Sequence, residues 1–279
     1  TADYVKDDLP EYGIEVDFID SSDPSGWSNK VKPNTKVIYV ETITNPLMDI
    51  GALDKVAEFA KENNLISMID NTFASPALFC PIQHGFDISL HSATKYLNGH
   101  TDIVAGAIIG NEPHMSKITS KLNHLGGCLD PHACYLLHRG IKTLSIRMER
   151  QCESAMLIAK FLENYSKVKL VNYPGLISSS SHENAKQFLC GFGGMISFII
   201  EGGVLAADNF ISKLDIPIST ASLGGVETLI TRPVQTSHSL LSDEELRLAG
   251  IDKALIRISV GIESVDDLID DLSQALDSI

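Results

Sequence analysis

No apolar run in this chain of 279 residues is long enough to span a bilayer, so a membrane role is not expected. Basic residues are scarce: 22 lysines and arginines stand against 36 aspartates and glutamates, a formal net charge of -14. Such a surface repels a phosphate backbone, and no local basic cluster offsets it, which speaks against a nucleic-acid partner. The five cysteines (Cys80, Cys128, Cys134, Cys152, Cys190) are odd in number and contain no CxxC pair. That pattern argues against a disulfide framework or a zinc ribbon; reduced thiols in a cytoplasmic compartment are expected, with no metal site. The opening TADYVKDDLPEYGIEV has no basic stretch followed by an apolar core, so no secretory signal is read there, and strand-like sequence begins almost at once. Internal repeats and low-complexity tracts are absent.

What is present alternates. KVIYV (36–40) and LISMI (65–69) are short β-branched runs, and ALDKVAEFAKE (52–62) between them carries apolar residues at helical spacing. This is a βαβ unit whose crossover is expected to be right-handed, in a mainly parallel sheet covered by helices. FDISLHS (86–92) and DIVAGAIIG (102–110) supply two more strands. From Ala133 to Glu163 the text is helical, interrupted at Gly140, and reads as a connector. SSSSHENAK, from Ser178, reads as a surface loop. MISFIIEGG, a helix near 205–214, IRISVGIE and the amphipathic DDLIDDLSQAL predict a smaller α+β unit. The expected division is 1–147 for a large domain and 148–279 for a C-terminal domain that begins with the connector helix.

Ligands of open parallel sheets sit beyond the carboxyl ends of the strands. Here those ends read Glu41-Thr42-Ile43-Thr44-Asn45-Pro46, Asp70-Asn71-Thr72 and His91-Ser92-Ala93-Thr94-Lys95. Taken singly, Asp70, Ser92 and Thr94 could be helix caps, Asn45-Pro46 a turn and Lys95 a solvated charge. Taken together, they bring a carboxylate, an amide, hydroxyls and one lysine to a single crevice. A Schiff-base lysine needs a carbonyl partner, and a pyridoxal ring needs a carboxylate at its nitrogen; Lys95 and Asp70 meet those two needs. Hydroxyls of Ser92 and Thr94 suit a phosphate. Arg257 presents a planar fork that matches a carboxylate. His91 reads as a packed strand-end residue, and Gly191–Gly194 as a close-packing turn, since no helix start follows it.

The runs ETITNP, IDNTFASP, HSATKYLNGHTDIVAG, RGIKTLSIRMER, GFGGM, SLGGVETL and LIRISVGIE resemble, in order, the motifs of the Cys/Met-metabolism family of pyridoxal-phosphate enzymes, from about Val16 to the C-terminus. The resemblance implies the α/β fold type I, aspartate-aminotransferase-like, and homotetramers built from catalytic dimers. It implies pyridoxal 5'-phosphate held by Lys95, with Asp70 at the ring nitrogen and Ser92 and Thr94 at the phosphate. Asn45 and Thr72 would lie beside the ring, and Arg257 would grip the α-carboxylate of an amino-acid substrate with help from Ser222. Just before SLGG, relatives that process cystathionine typically carry a glutamate, whereas this chain has Ala221. An apolar residue there suits a neutral thioether and points to α,γ-elimination of methionine or a related thioether. Cystathionine γ-lyase, and a γ-synthase or sulfhydrylase, are the alternatives. The family's upstream segment, with phosphate-cupping amides and a Tyr-x-Arg motif, has no counterpart in this text. A truncated non-catalytic paralogue or fragment is therefore the reading from another class, and a cofactor-free Schiff-base aldolase a more distant one.

Overall fold

The computed structural model describes residues 3–279. Contrary to the expectation of early strand, the chain starts with helical turns at Tyr4–Asp8, Leu9–Tyr12 and Pro24–Lys30. Pro10 and Pro24 near the starts of two of these turns lack the N–H a ladder requires. Trp27 then anchors the segment: it is buried, its indole N–H donates to the Asp20 carbonyl, and its ring meets Phe59 edge-on at 5.4 Å.

The first sheet contains β1 (Val37–Glu41), β2 (Ile66–Asp70), β3 (Ile88–Ser92) and β4 (Gly106–Gly110), in that spatial order. The first three strands are parallel, and β4 returns antiparallel along the edge. The strand read from 102–110 is thus confined to its second half. Helix α1 (Leu53–Glu62) makes the crossover and buries Leu53, Val56, Ala57 and Ala60 on one face. The register pairs Glu41 with Asp70, so two carboxylates end adjacent strands side by side. A short helix, α2 (Ser75–Leu78), follows the second of them.

Helices α3 (His114–Leu125), α4 (Pro131–Ile141) and α5 (Leu144–Glu163) make up the connector region. Asp130 caps α4 by accepting the N–H groups of His132 and Ala133, and Pro131 occupies its first turn. Gly140 is needed because α4 touches the turn after Lys95: a Cβ there would overlap the Asn98 carbonyl oxygen. Helix α5 serves two cores. Its Leu144 and Met148 join the cluster under the first sheet, and its Ala155, Ile158, Ala159 and Leu162 join the second.

The second sheet holds β5 (Val168–Asn172), β6 (Met195–Ile200), β7 (Ile218–Ser219), β8 (Leu229–Thr231) and β9 (Ile256–Ser259), ordered β5-β6-β9-β8-β7. All pairings are antiparallel except β7 with β8. Helices α6 (His182–Phe188), α7 (Gly203–Ser212), α8 (Asp243–Leu248) and α9 (Val265–Asp277) complete the chain. The run from Ser178 is only partly a loop, because α6 starts at His182. Ser181 is buried there, with its hydroxyl accepting the Ile50 N–H at 3.0 Å, so this polar text fastens the second half to the first. Among the described residues no helix is long and apolar enough to cross a membrane.

Candidate functional site

The ends of β1, β2 and β3 form one wall of a cavity of about 250 Å³, and residues of the second half form the opposite wall. Asp70 closes β2. Its carboxylate accepts the Thr72 N–H at 2.9 Å and, at 3.4 Å, the Tyr39 hydroxyl from β1. The Thr72 hydroxyl accepts the Ser92 N–H at 2.8 Å, which ties the end of β3 to the turn after β2. Ser92 faces the cavity. The Thr94 hydroxyl donates to the Ala105 carbonyl and accepts the Ala105 N–H, closing the loop that leads to β4.

Lys95 lies in the turn after β3, its N–H donating to the Ser92 carbonyl. Its Nζ crosses the cavity and donates to the Ser222 hydroxyl at 2.8 Å. Burial, reinforced by the nearby Arg257 charge, lowers the Lys95 pKa from the usual lysine range. Ser222 sits at φ +95°, a left-handed conformation costly for a residue with a Cβ, with its hydroxyl held by Lys95.

Arg257, on β9, is 3% exposed. One Nη donates to the Asn45 side-chain oxygen at 2.8 Å and the other to the Ser222 carbonyl at 3.1 Å. Desolvation pulls its pKa down to about 10, so the guanidinium is still charged at neutral pH. Asn45, in a turn with a cis bond to Pro46, also donates its backbone N–H to Glu41 at 3.2 Å. The eight residues singled out by sequence, Asn45, Asp70, Thr72, Ser92, Thr94, Lys95, Ser222 and Arg257, therefore converge on one region, and all but Thr94 line the cavity.

His91 is a packed strand residue, buried, with Nε2 3.1 Å from the Ser89 hydroxyl. The Gly191–Gly194 turn leads into β6, and a Cβ on Gly194 would lie 3.0 Å from the Tyr96 hydroxyl, so it serves close packing. Sequence reasoning gave Glu41 no task and passed over Tyr39 and Ser237, which joins the cavity wall. Glu41 was recoverable, because parallel pairing of the two β-branched runs sets it beside Asp70. Burial and the Asp70 charge push Glu41 up to about 7.

An amine opposite a carboxylate, with a free-facing hydroxyl and a guanidinium, is the donor set that a pyridoxal ring and an amino-acid carboxylate require. The cavity is just under the roughly 300–1,000 Å³ typical of drug-sized ligands, in keeping with one substituted ring. The family described as "Cys/Met metabolism PLP-dependent enzyme" matches residues 1–277. The L-methionine gamma-lyase of Fusobacterium nucleatum is 41% identical over 274 residues, covering 97% of this chain and 69% of that protein. The cystathionine gamma-lyase of Bacillus subtilis is 44% identical over 277 residues, covering 97% of this chain and 72% of the other. The crystal structure of cystathionine gamma-lyase from Lactobacillus plantarum, complexed with L-serine, superposes with a TM-score of 0.96 at 36% identity over 100% of this chain and 73% of its own. The fold is accordingly the α/β fold type I that the motifs imply, and the chain belongs to the Cys/Met-metabolism family of pyridoxal-phosphate-dependent enzymes.

Proposed function

We propose that this chain supplies the site of a carbon–sulfur lyase that carries out α,γ-elimination on methionine or a related thioether amino acid, giving a 2-oxo acid, ammonia and a thiol. The observation that carries the reading is the Lys95 Nζ contact with Ser222 across a cavity whose other walls present Asp70 and Arg257. Pyridoxal 5'-phosphate bound there supplies an electron sink for the substrate α-carbon. Lys95 holds it, and Asp70, fixed by the Thr72 N–H and the Tyr39 hydroxyl, keeps its ring nitrogen protonated. Ser92 and Thr94 serve the phosphate, and Asn45 and Thr72 flank the ring.

Arg257 takes the substrate α-carboxylate, its guanidinium held by hydrogen bonds to Asn45 and Ser222. The Lys95 amine, its pKa lowered by burial and by the Arg257 charge, gives up its proton more readily than an exposed lysine and serves as the base toward the α-hydrogen. The same amine then carries protons between the neighbouring carbons and lets the γ-thiol depart. Ser222 orients that amine through its hydroxyl.

Ala221, exposed beside Ser222, offers no charge to a distal ammonium, which favours methionine over cystathionine. Cystathionine γ-elimination and γ-replacement use the same fixed residues, and relatives named for methionine and for cystathionine γ-elimination stand at similar identity. Steady-state comparison of the two substrates tests the choice: a higher kcat/KM for methionine supports it, and a preference for cystathionine overturns it. We also assign residues 1–147 to a cofactor-holding domain and 148–279 to a domain that brings Ser222 and Arg257. Self-association as a homodimer or homotetramer is supported by α3, which buries no residue, and by exposed Leu125, Tyr135 and Ile146 nearby. Analytical ultracentrifugation tests it, and a monomer at every concentration would refute it.

A further inference from the structure

Glu41 is the residue of the site for which the reading above has no use. It ends β1 in register with Asp70 on β2, and neighbouring strands of a sheet run only about 4.8 Å apart. Both carboxyl groups line the same cavity. Glu41 receives one hydrogen bond, from the Asn45 N–H, and Asp70 receives those of Thr72 and Tyr39. Among the described residues neither carboxylate has a salt-bridge partner. The cations that face the pair are committed elsewhere: Lys95 to Ser222, and Arg257 to Asn45 and Ser222. His91, buried within β3 and close enough to feel the Asp70 charge, is driven toward its neutral form by desolvation.

Two carboxylates side by side in a largely buried wall, without a cation between them, resist holding two charges at once. We propose that Glu41 and Asp70 act as a carboxyl pair that stores one proton on Glu41 and releases it when the protonated ring nitrogen of pyridoxal phosphate seats against Asp70. This rests on the assignment of Asp70 to that nitrogen. The balance is simple: the ring arrives with its nitrogen protonated, the O–H bond of Glu41 breaks, that proton passes to the buffer, and no electrons are transferred. The pair then carries two negative charges against one positive charge, which is why the ring nitrogen keeps its proton. Glu41 is a positioning residue here, acting on the ring through Asp70. Its midpoint near 7 places the stored proton within the neutral range.

Calorimetric titration of the full chain with pyridoxal phosphate, in two buffers of different ionisation heat, counts protons exchanged with the buffer per site. For a group titrating near 7, Glu41→Gln is expected to release about 0.9 less of a proton to the buffer than the unsubstituted chain at about pH 6. The difference is expected to halve near pH 7 and to vanish by about pH 8.5. Equal counts at every pH overturn the proposal. Should Glu41→Gln fail to fold, infrared difference spectra of the unsubstituted chain decide. Loss of a protonated-carboxyl band on binding at about pH 6, but not at about pH 8.5, supports the stored proton, and an unchanged carboxyl region at both overturns it. Failure of the underlying assignment shows separately, as a visible cofactor band whose position Asp70→Asn leaves unchanged. A chain that binds no pyridoxal phosphate overturns the assignment and this inference together.

Discussion

Replacing Gly140 with alanine tests how tightly the fold braces the lysine turn. In an ordinary helix interior the change gains about 1 kcal/mol from propensity. Here a Cβ would overlap the Asn98 carbonyl oxygen and lie 3.0 Å from its carbonyl carbon, where backbone rather than a flexible side chain must yield. Relief needs about 1 Å of separation between α4 and the turn, and such overpacking typically costs about 1–3 kcal/mol. The same separation strains buried Arg147, which donates to the Gly140 carbonyl at 3.0 Å and the Tyr96 carbonyl at 2.9 Å. Weakening one charged hydrogen bond of this kind adds about 1.5–3 kcal/mol. Net destabilisation of about 3 kcal/mol is expected, because the two losses exceed the propensity gain. Urea unfolding is expected to show a lower midpoint at unchanged slope. Gly127→Ala, where a Cβ makes an ordinary contact with Leu122 at 3.5 Å, is the control and should change little. A Gly140→Ala protein as stable as the parent, or more so, would refute the close approach of α4 to the Lys95 turn.

Other outcomes follow from the site. Glu41, ordinarily near 4.5 and raised to about 7 in the fold, favours the folded state below its unfolded value and penalises it as pH rises through the folded one. Its ionisation is expected to remove about 3 kcal/mol of stability between those limits, and Glu41→Gln should abolish that loss in urea melts at about pH 4.5 and 8. Arg257→Lys keeps a charge but loses the planar fork, so substrate affinity in spectral titrations should fall by about tenfold or more, with cofactor binding retained. Ala221→Glu should move the ratio of kcat/KM toward cystathionine, and an unchanged ratio would remove Ala221 from the specificity argument.

Much of this site was legible in the text because polar residues concentrate where apolar strand runs end. KVIYV and LISMI announced parallel strands, and the three strand ends carried Asn45, Asp70, Ser92 and Lys95 to one cavity. Thr94 has a partner that the text does not show. A hydroxyl beside the lysine suits a phosphate, but only three-dimensional closure of the 94–105 loop shows its bond to the Ala105 backbone. Glu41 was visible in the text, yet its proximity to Asp70 is a matter of register, which no single strand reveals. The strands β7 and β8, two and three residues long, lack enough alternation to be read from sequence. Ser181 resembles loop text locally and is buried because it meets Ile50, 131 residues away.

The account stands or falls on Lys95. Incubating the chain and its Lys95→Ala variant with pyridoxal 5'-phosphate, removing unbound cofactor and recording visible absorption asks the question directly. The expected result is a visible band that survives filtration in the parent, disappears on borohydride treatment with a stable mass increase on the peptide carrying Lys95, and is absent from the variant. An identical band in Lys95→Ala, or the added mass on another lysine, would contradict it.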